Sequence, residues 1–207
     1  IFVLAHGFGH ISGAHINPAV TVALMVARLT SPLLGGFFIV AHFLGSIAAS
    51  GILMVVMGLK PTTMGGYNAL SGPEDNKIAR GFITELVLTF LLCFIVFATV
   101  DPARETTHLG PLAIGMAVGV AHLIAVPITG CGINPARSLG PALFADADAA
   151  REDLWVFLLA PILGAVLAAL LYPFWFASPT HELKHGLTDK FAVKISPETE
   201  IADVEDV

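Results

Sequence analysis

The chain has 207 residues, of which 56% are hydrophobic and 13% are charged, whereas about 25% charged residues is usual for a soluble domain. Uncharged runs such as 29–59 and 109–136 exceed the ~20 apolar residues that cross the hydrocarbon core of a bilayer. This composition excludes an ordinary soluble protein. We therefore expect a multi-pass integral membrane protein whose surroundings are lipid, with no nucleic-acid partner.

Five apolar segments are predicted as helices, and no alternation typical of membrane β-strands is visible. In chain order they cover about 1–8, 33–59, 78–100, 111–128 and 154–176. The first begins in the middle of an apolar run, so we expect a truncated chain. Residues 177–207 are polar and carry much of the net charge of −6, which predicts a flexible, solvated tail.

Two interrupted segments, 9–28 and 129–144, are too apolar for ordinary loops. Each contains Asn-Pro-Ala, at Asn17 and at Asn134. With these asparagines superposed, Ser12-Gly13 aligns with Thr129-Gly130 and the residues around both motifs also match. The chain is therefore interpreted as a duplicated unit. Its copies are inverted relative to each other if each Asn-Pro-Ala segment enters the membrane and returns.

Asn-Pro-Ala is a helix-start signal, because Asn is a strong N-cap and Pro is well tolerated at the first helical position. From Pro18 to Arg28 there are 11 residues, about 16 Å of helix at ~1.5 Å per residue, or half a bilayer core. The second segment, 135–144, has a similar length. We expect two half-helices whose positive N-terminal ends meet at the membrane centre, repel cations and present Asn amides to a neutral solute.

Around both motifs the sequence resembles the aquaporin family, also called major intrinsic proteins. The residues that carry the resemblance run from Ser12 to Thr21 and from Thr129 to Ser138. The resemblance implies six spans, two half-helices and a homotetramer with one pore per subunit, so that the first span and the beginning of the second are expected to be missing here. It implies a channel domain at 1–176, with 1–59 as the remainder of the first repeat and 78–176 as the second, followed by a cytoplasmic tail at 177–207.

Within the family, the resemblance assigns Asn17, Pro18, Ala19, Asn134, Pro135 and Ala136 to the two pore motifs. It assigns His122, Cys131 and Arg137 to the narrow ring of water-selective members. The aromatic residue of that ring would precede the first residue of the chain. Glycerol-conducting relatives typically carry Gly in place of the His and Asp after the Arg, but this chain has His122 and Ser138.

Three further residues receive roles from the resemblance. Glu85, an ionisable residue within a span, is expected to brace loop backbone near the half-helices, with proton coupling as the alternative. Cys131 predicts block by mercurials. His108 lies in a short polar loop, where some plant relatives carry a histidine that closes the channel at low pH.

The expected function is passive conduction of water, with protons and ions excluded, as is general for aquaporin-type pores. We expect no enzymatic chemistry, no cofactor and no metal. The nearest alternative is a broader pore for neutral solutes such as glycerol, ammonia or hydrogen peroxide. An alternating-access carrier and a non-conducting membrane scaffold are the remaining alternatives, and the sequence does not identify the membrane.

Overall fold

A computed structural model describes residues 1–101 and 107–176 of the chain. All regular structure in these two ranges is helical, as predicted. The α-helices are α1 (Phe2–Ser12), α2 (Pro18–Val26), α3 (Pro32–Met57), α4 (Lys77–Val100), α5 (Gly110–Thr129), α6 (Pro135–Phe144), α7 (Ala149–Glu152) and α8 (Leu154–Trp175). Short 3₁₀ turns cover Pro61–Thr63 and Thr107–Leu109. The predicted tail lies outside the described residues.

Four helices are long and apolar enough to cross a membrane: α3, α4, α5 and α8. Their mean hydropathy lies between 2.0 and 2.6, and they correspond to the four full spans predicted from the sequence. Their ends carry ordinary helix signals. For example, the Ser31 hydroxyl caps α3 by accepting from the N–H of Leu34 at 3.3 Å, and Pro32 follows at the first helical position.

The first and second helices end at different places from those predicted. α1 continues past Phe8 to Ser12, where Gly13 adopts a left-handed φ of 78° and ends the helix. α2 ends at Val26 rather than Arg28, because Arg28 has a φ of 60° and cannot continue a right-handed helix. The resulting 9 residues of α2 and 10 residues of α6 correspond to about 14 and 15 Å. Both remain half-helices.

The outer surface of the bundle is apolar. Leu33, Val55 and Leu123 are 74%, 83% and 84% exposed, which in water would be an aggregation liability but in lipid is the favourable arrangement. The interior instead uses small residues. At Gly164 on α8, an added Cβ would collide with the backbone of Leu86 on α4, so glycine permits the close packing of these helices.

The half-helices lie inside the bundle rather than on its surface. α8 packs most extensively against α4 and also contacts α2 and α6, while α3 packs against α6 and α1 against α5. The core cluster joins buried residues of α2, α4, α5 and α8. As a result, the loops that precede α2 and α6 are brought face to face in the centre of the molecule.

Candidate functional site

Both Asn-Pro-Ala motifs start helices in the same way. The Asn17 side-chain oxygen accepts from the N–H of Ala19 at 2.8 Å. The Asn134 side-chain oxygen accepts from the N–H groups of Ala136 and Arg137 at 3.1 and 3.3 Å. Both asparagines have extended backbone, and the prolines and alanines of both motifs are buried. The oxygen of each amide therefore serves its own helix, which leaves the NH₂ group for other partners.

The two NH₂ groups bind the opposite segment reciprocally. Asn17 Nδ2 donates to the carbonyl of Ile133 at 2.8 Å, and Asn134 Nδ2 donates to the carbonyl of Ile16 at 3.0 Å. In a two-fold related contact, each partner makes the same bond to the other. The two helix starts are thus joined directly at their N-terminal ends. Because an amide NH₂ has two hydrogens, one N–H on each asparagine remains available to a solute.

Left-handed backbone makes this reciprocal contact geometrically possible. Ile16 and Ile133 have φ angles of 55° and 44°, although β-branched residues rarely adopt positive φ. Two positions earlier, Ala14 and Cys131 are also left-handed, at 45° and 58°. These matched pairs follow the sequence repeat. The strain is concentrated where the chain turns sharply before each half-helix.

Glu85 holds the second of these loops. Its side chain is fully buried, and its two oxygens accept from the Thr129 hydroxyl at 2.6 Å and from the N–H groups of Gly132 and Ile133 at 2.8 and 2.5 Å. Three donors thus converge on one carboxyl group, which fixes the loop of Thr129, Gly132 and Ile133 against α4. Through Ile133, the same loop presents the carbonyl that receives Asn17. This geometry favours the bracing role predicted for Glu85.

His122 occupies α5 with a defined tautomer. Its Nδ1 lies 2.9 Å from the carbonyl of Val118, and a carbonyl only accepts, so Nδ1 carries a hydrogen and donates it; Nε2 is the acceptor of this tautomer. Cys131 Sγ lies 3.4 Å from the same Nδ1. Cys131 is 0% exposed. Two of the predicted ring residues, His122 and Cys131, are therefore in contact.

Arg137 is held by a loop that the sequence did not single out. Its Nη1 donates to the carbonyl of Gly66 at 2.5 Å and to the side-chain oxygen of Asn68 at 2.9 Å. That oxygen also accepts from the Ser138 hydroxyl at 2.9 Å. Asn68 gave no signal in the sequence, because a buried asparagine in a polar loop looks like any other loop residue.

One cavity of about 600 Å³ connects these groups. Its walls include Asn17, Asn134, His122 and Arg137, and the remaining surface is mostly apolar side chains of α1, α2, α4 and α5. Cys131 and Glu85 are not among the lining residues. Of the predicted site residues, the structure thus places four on the cavity wall, and Cys131 and Glu85 directly behind it.

The other predicted features are located as follows. His108 is exposed and lies in the 3₁₀ turn Thr107–Leu109, while the preceding loop residues 102–106 lie outside the described part of the chain. Within the described residues, no group of three or more His, Cys, Asp or Glu side chains is placed to hold a metal ion.

The profile of the family described as "Major intrinsic protein" matches residues 1–172. The chain belongs to this family, the aquaporins. It is accordingly an integral membrane protein of a channel family, and its helices provide the spans that this requires.

Similar proteins include Aquaporin-4 of Rattus norvegicus, 41% identical over 193 residues, which are 93% of this chain and 58% of that protein. Aquaporin-1 of Bos taurus is 39% identical over 206 residues, covering 99% of this chain and 73% of the relative. A probable aquaporin PIP2-7 of Oryza sativa subsp. japonica is 44% identical over 176 residues, or 82% and 60% of the two chains. This chain thus spans 58% of the length of the rat relative.

A solved structure, described as the X-ray structure of the aquaglyceroporin from Plasmodium falciparum, has the same fold. Its TM-score is 0.65 with 20% sequence identity, over 79% of this chain and 73% of that one. At this identity the likeness concerns the fold alone.

Proposed function

We propose that this aquaporin-family protein is a passive water channel that excludes protons and ions. The observation that carries the proposal is the reciprocal asparagine pair on the wall of the cavity that also contains His122 and Arg137. Two helix N-termini and two amide N–H donors then face the same point. A mostly apolar cavity with these donors on its wall suits a small neutral molecule that accepts hydrogen bonds.

The exclusion of protons follows from how water binds there. The remaining N–H groups of Asn17 and Asn134 donate to a single water oxygen, so that both hydrogens of this water point away along the pore. Its neighbours on either side then accept from it. A proton hops along a file of water molecules whose O–H groups all point the same way. The water bound to the two asparagines interrupts this file. The positive ends of α2 and α6 add a barrier to every cation, as is general for aquaporin-type pores.

The ring of His122 and Arg137 sets the size and polarity of the passage. Neutral His122 offers an acceptor at Nε2, and the guanidinium offers donors that are permanently charged. A water molecule uses both at once. The imidazole of His122 narrows the passage to less than the width of a glycerol-sized solute. His122 therefore favours water.

The same proposal extends to the organisation of the protein. Residues 1–176 form the channel domain as two inverted repeats, 1–59 and 78–176, and 177–207 form a cytoplasmic tail. The protein assembles as a homotetramer with one pore per subunit. The aquaporin relatives support this by their similarity over most of the chain.

Stopped-flow light scattering on liposomes that contain the full-length chain tests the proposal. An osmotic gradient of an impermeant solute should shrink these vesicles several-fold faster than empty ones, whereas glycerol entry, measured from the reswelling phase after a glycerol gradient is applied, should match that of empty vesicles. Fast glycerol entry would instead indicate the broader neutral-solute pore. Flux that saturates or requires a proton gradient would indicate a carrier, and shrinkage equal to that of empty vesicles would indicate a non-conducting scaffold.

A further inference from the structure

The loop between α3 and α4 contains one deeply buried polar residue, Asn68, which is 2% exposed. Its Nδ2 donates to the carbonyl of Thr129 at 3.0 Å, at the end of α5. Its Oδ1 accepts from Arg137 Nη1 and from the Ser138 hydroxyl, both at 2.9 Å and both in the first turn of α6. One side chain therefore joins the loop, the end of a span and the start of a half-helix.

The backbone holds Asn68 in this position. The N–H of Ser71 donates to the carbonyl of Ile128 at 2.9 Å, which fixes the loop against the end of α5. Gly130 has a φ of 74°, and an added Cβ would lie 3.2 Å from Asn68 Nδ2. Glycine thus provides both the left-handed turn and the space that the amide occupies. Asn68 is consequently a rigid support rather than a mobile loop side chain.

Arg137 depends on this support for its orientation. Within the described residues, the guanidinium makes two side-chain hydrogen bonds, and Nη1 donates both. The acceptors are Asn68 Oδ1 and the carbonyl of Gly66. Nε and Nη2 are left for the cavity, which Arg137 lines. A long arginine side chain loses much rotamer freedom when it is fixed, so it stays in one position only while its partners hold it.

We infer that Asn68 is a positioning residue that sets the solute cut-off of the channel by holding the Arg137 guanidinium against the pore wall. The inference rests on the proposed function as a water channel. Oδ1 is the essential atom, because it binds Arg137 directly and is itself fixed by Ser138 and, through the other end of the amide, by Thr129. The loop thereby forms part of the selectivity structure without contacting the solute.

The test compares Asn68→Ala, Asn68→Asp and the control Asn76→Ala in proteoliposomes of the full-length chain. Asn76 belongs to the same loop, is exposed and makes no side-chain cap hydrogen bond. The readout is the ratio of glycerol to water permeability after the rate of empty vesicles has been subtracted from each, because a general loss of folded protein then lowers both rates together. Thermal unfolding of each purified variant is measured in parallel.

In Asn68→Ala we expect this ratio to rise about tenfold, the order of effect that follows from losing a hydrogen bond to a charged group. Asn68→Asp keeps an oxygen for Arg137 and should recover most of the exclusion, while Asn76→Ala should match the wild type. An unchanged ratio in Asn68→Ala overturns the inference. A tenfold higher ratio in Asn68→Asp would also overturn the inference, because this variant keeps the oxygen that binds Arg137. If Asn68→Ala does not fold, the Asn68→Asp measurement alone decides the question.

Failure of the proposed function gives a different pattern. A wild-type protein that conducts no water, or conducts glycerol freely, contradicts the water-channel proposal whatever the variants do. A wild-type protein that conducts water, excludes glycerol and is unaffected by Asn68→Ala contradicts only the positioning role of Asn68.

Discussion

Asn17 and Ile133 are 116 positions apart in the sequence, yet the Asn17 side-chain amide lies 2.8 Å from the Ile133 carbonyl. The same asparagine caps its own half-helix through Ala19. A single side chain therefore starts one half-helix and fastens it to the other. With its counterpart at Asn134, it determines where the two helix ends meet.

Replacing Asn17 with Ala removes both of these hydrogen bonds. Loss of the cap alone should lower the free energy of unfolding by about 1 kcal/mol, and the unpaired Ile133 carbonyl should add about 1 kcal/mol or more. Thermal unfolding in detergent measures the effect. Asn76→Ala is the matched control, because Asn76 also precedes a helix but caps nothing with its side chain. Equal effects of the two substitutions would contradict the double role of Asn17.

Glu85→Gln should be strongly destabilising. The carboxylate accepts three hydrogen bonds in full burial, and an amide NH₂ would turn a donor towards the N–H groups of Gly132 or Ile133. We expect a loss of about 3 kcal/mol or more in stability, together with lower water permeability. Glu74→Gln is the control, since Glu74 is exposed and, among the described residues, forms a surface ion pair with Lys77.

A different outcome of the same substitution would contradict the bracing role predicted for Glu85. If Glu85→Gln folds with wild-type stability but abolishes uptake driven by a proton gradient, Glu85 couples protons to transport. In that case the bracing role is wrong and the carrier alternative is favoured.

His122→Gly should widen the narrow ring. Removal of the imidazole opens the passage beside Arg137, so glycerol permeability should rise by about tenfold or more while water still passes, on the usual scale for steric discrimination in a pocket. Leu123→Gly controls for the weakening of α5 by glycine, about 1 kcal/mol, because Leu123 is 84% exposed on the outer surface. No gain of glycerol flux in His122→Gly would mean that another group sets the width.

Mercurial reagents should block water flow by reacting with the thiol of Cys131. Because its thiol is 0% exposed and lies 3.4 Å behind the His122 ring, the block should develop slowly in the wild type and faster in His122→Gly. Cys131→Ser should abolish the block. Cys93→Ser should leave it intact, since Cys93 is buried in α4, whereas Cys131 contacts His122 on the cavity wall. Stopped-flow traces at increasing times after addition of mercurial measure both effects.

Much of the fold followed from local chemistry. Long apolar runs predicted the four spans because lipid requires about 20 apolar residues in helical form. Asn-Pro predicted the start of each half-helix because the cap and the fixed proline φ act within one turn. The ends of α1 and α2 were less predictable. They depend on whether the chain can adopt a left-handed turn at Gly13 or Arg28, and for Arg28 the residue type gives no such signal.

The sequence by itself determined the half-helices and the repeat, because each is encoded by neighbouring residues or by comparison of the two copies, while the residues of the narrow ring were implied only by the resemblance to the aquaporin family. Only the tertiary structure decided which groups meet. The hydrogen bond of Asn17 to Ile133, the contact of Cys131 with His122 and the hydrogen bond of Arg137 to Asn68 all join separate segments. Such contacts are set by how the helices pack and where the loop between α3 and α4 returns, and neither is encoded locally.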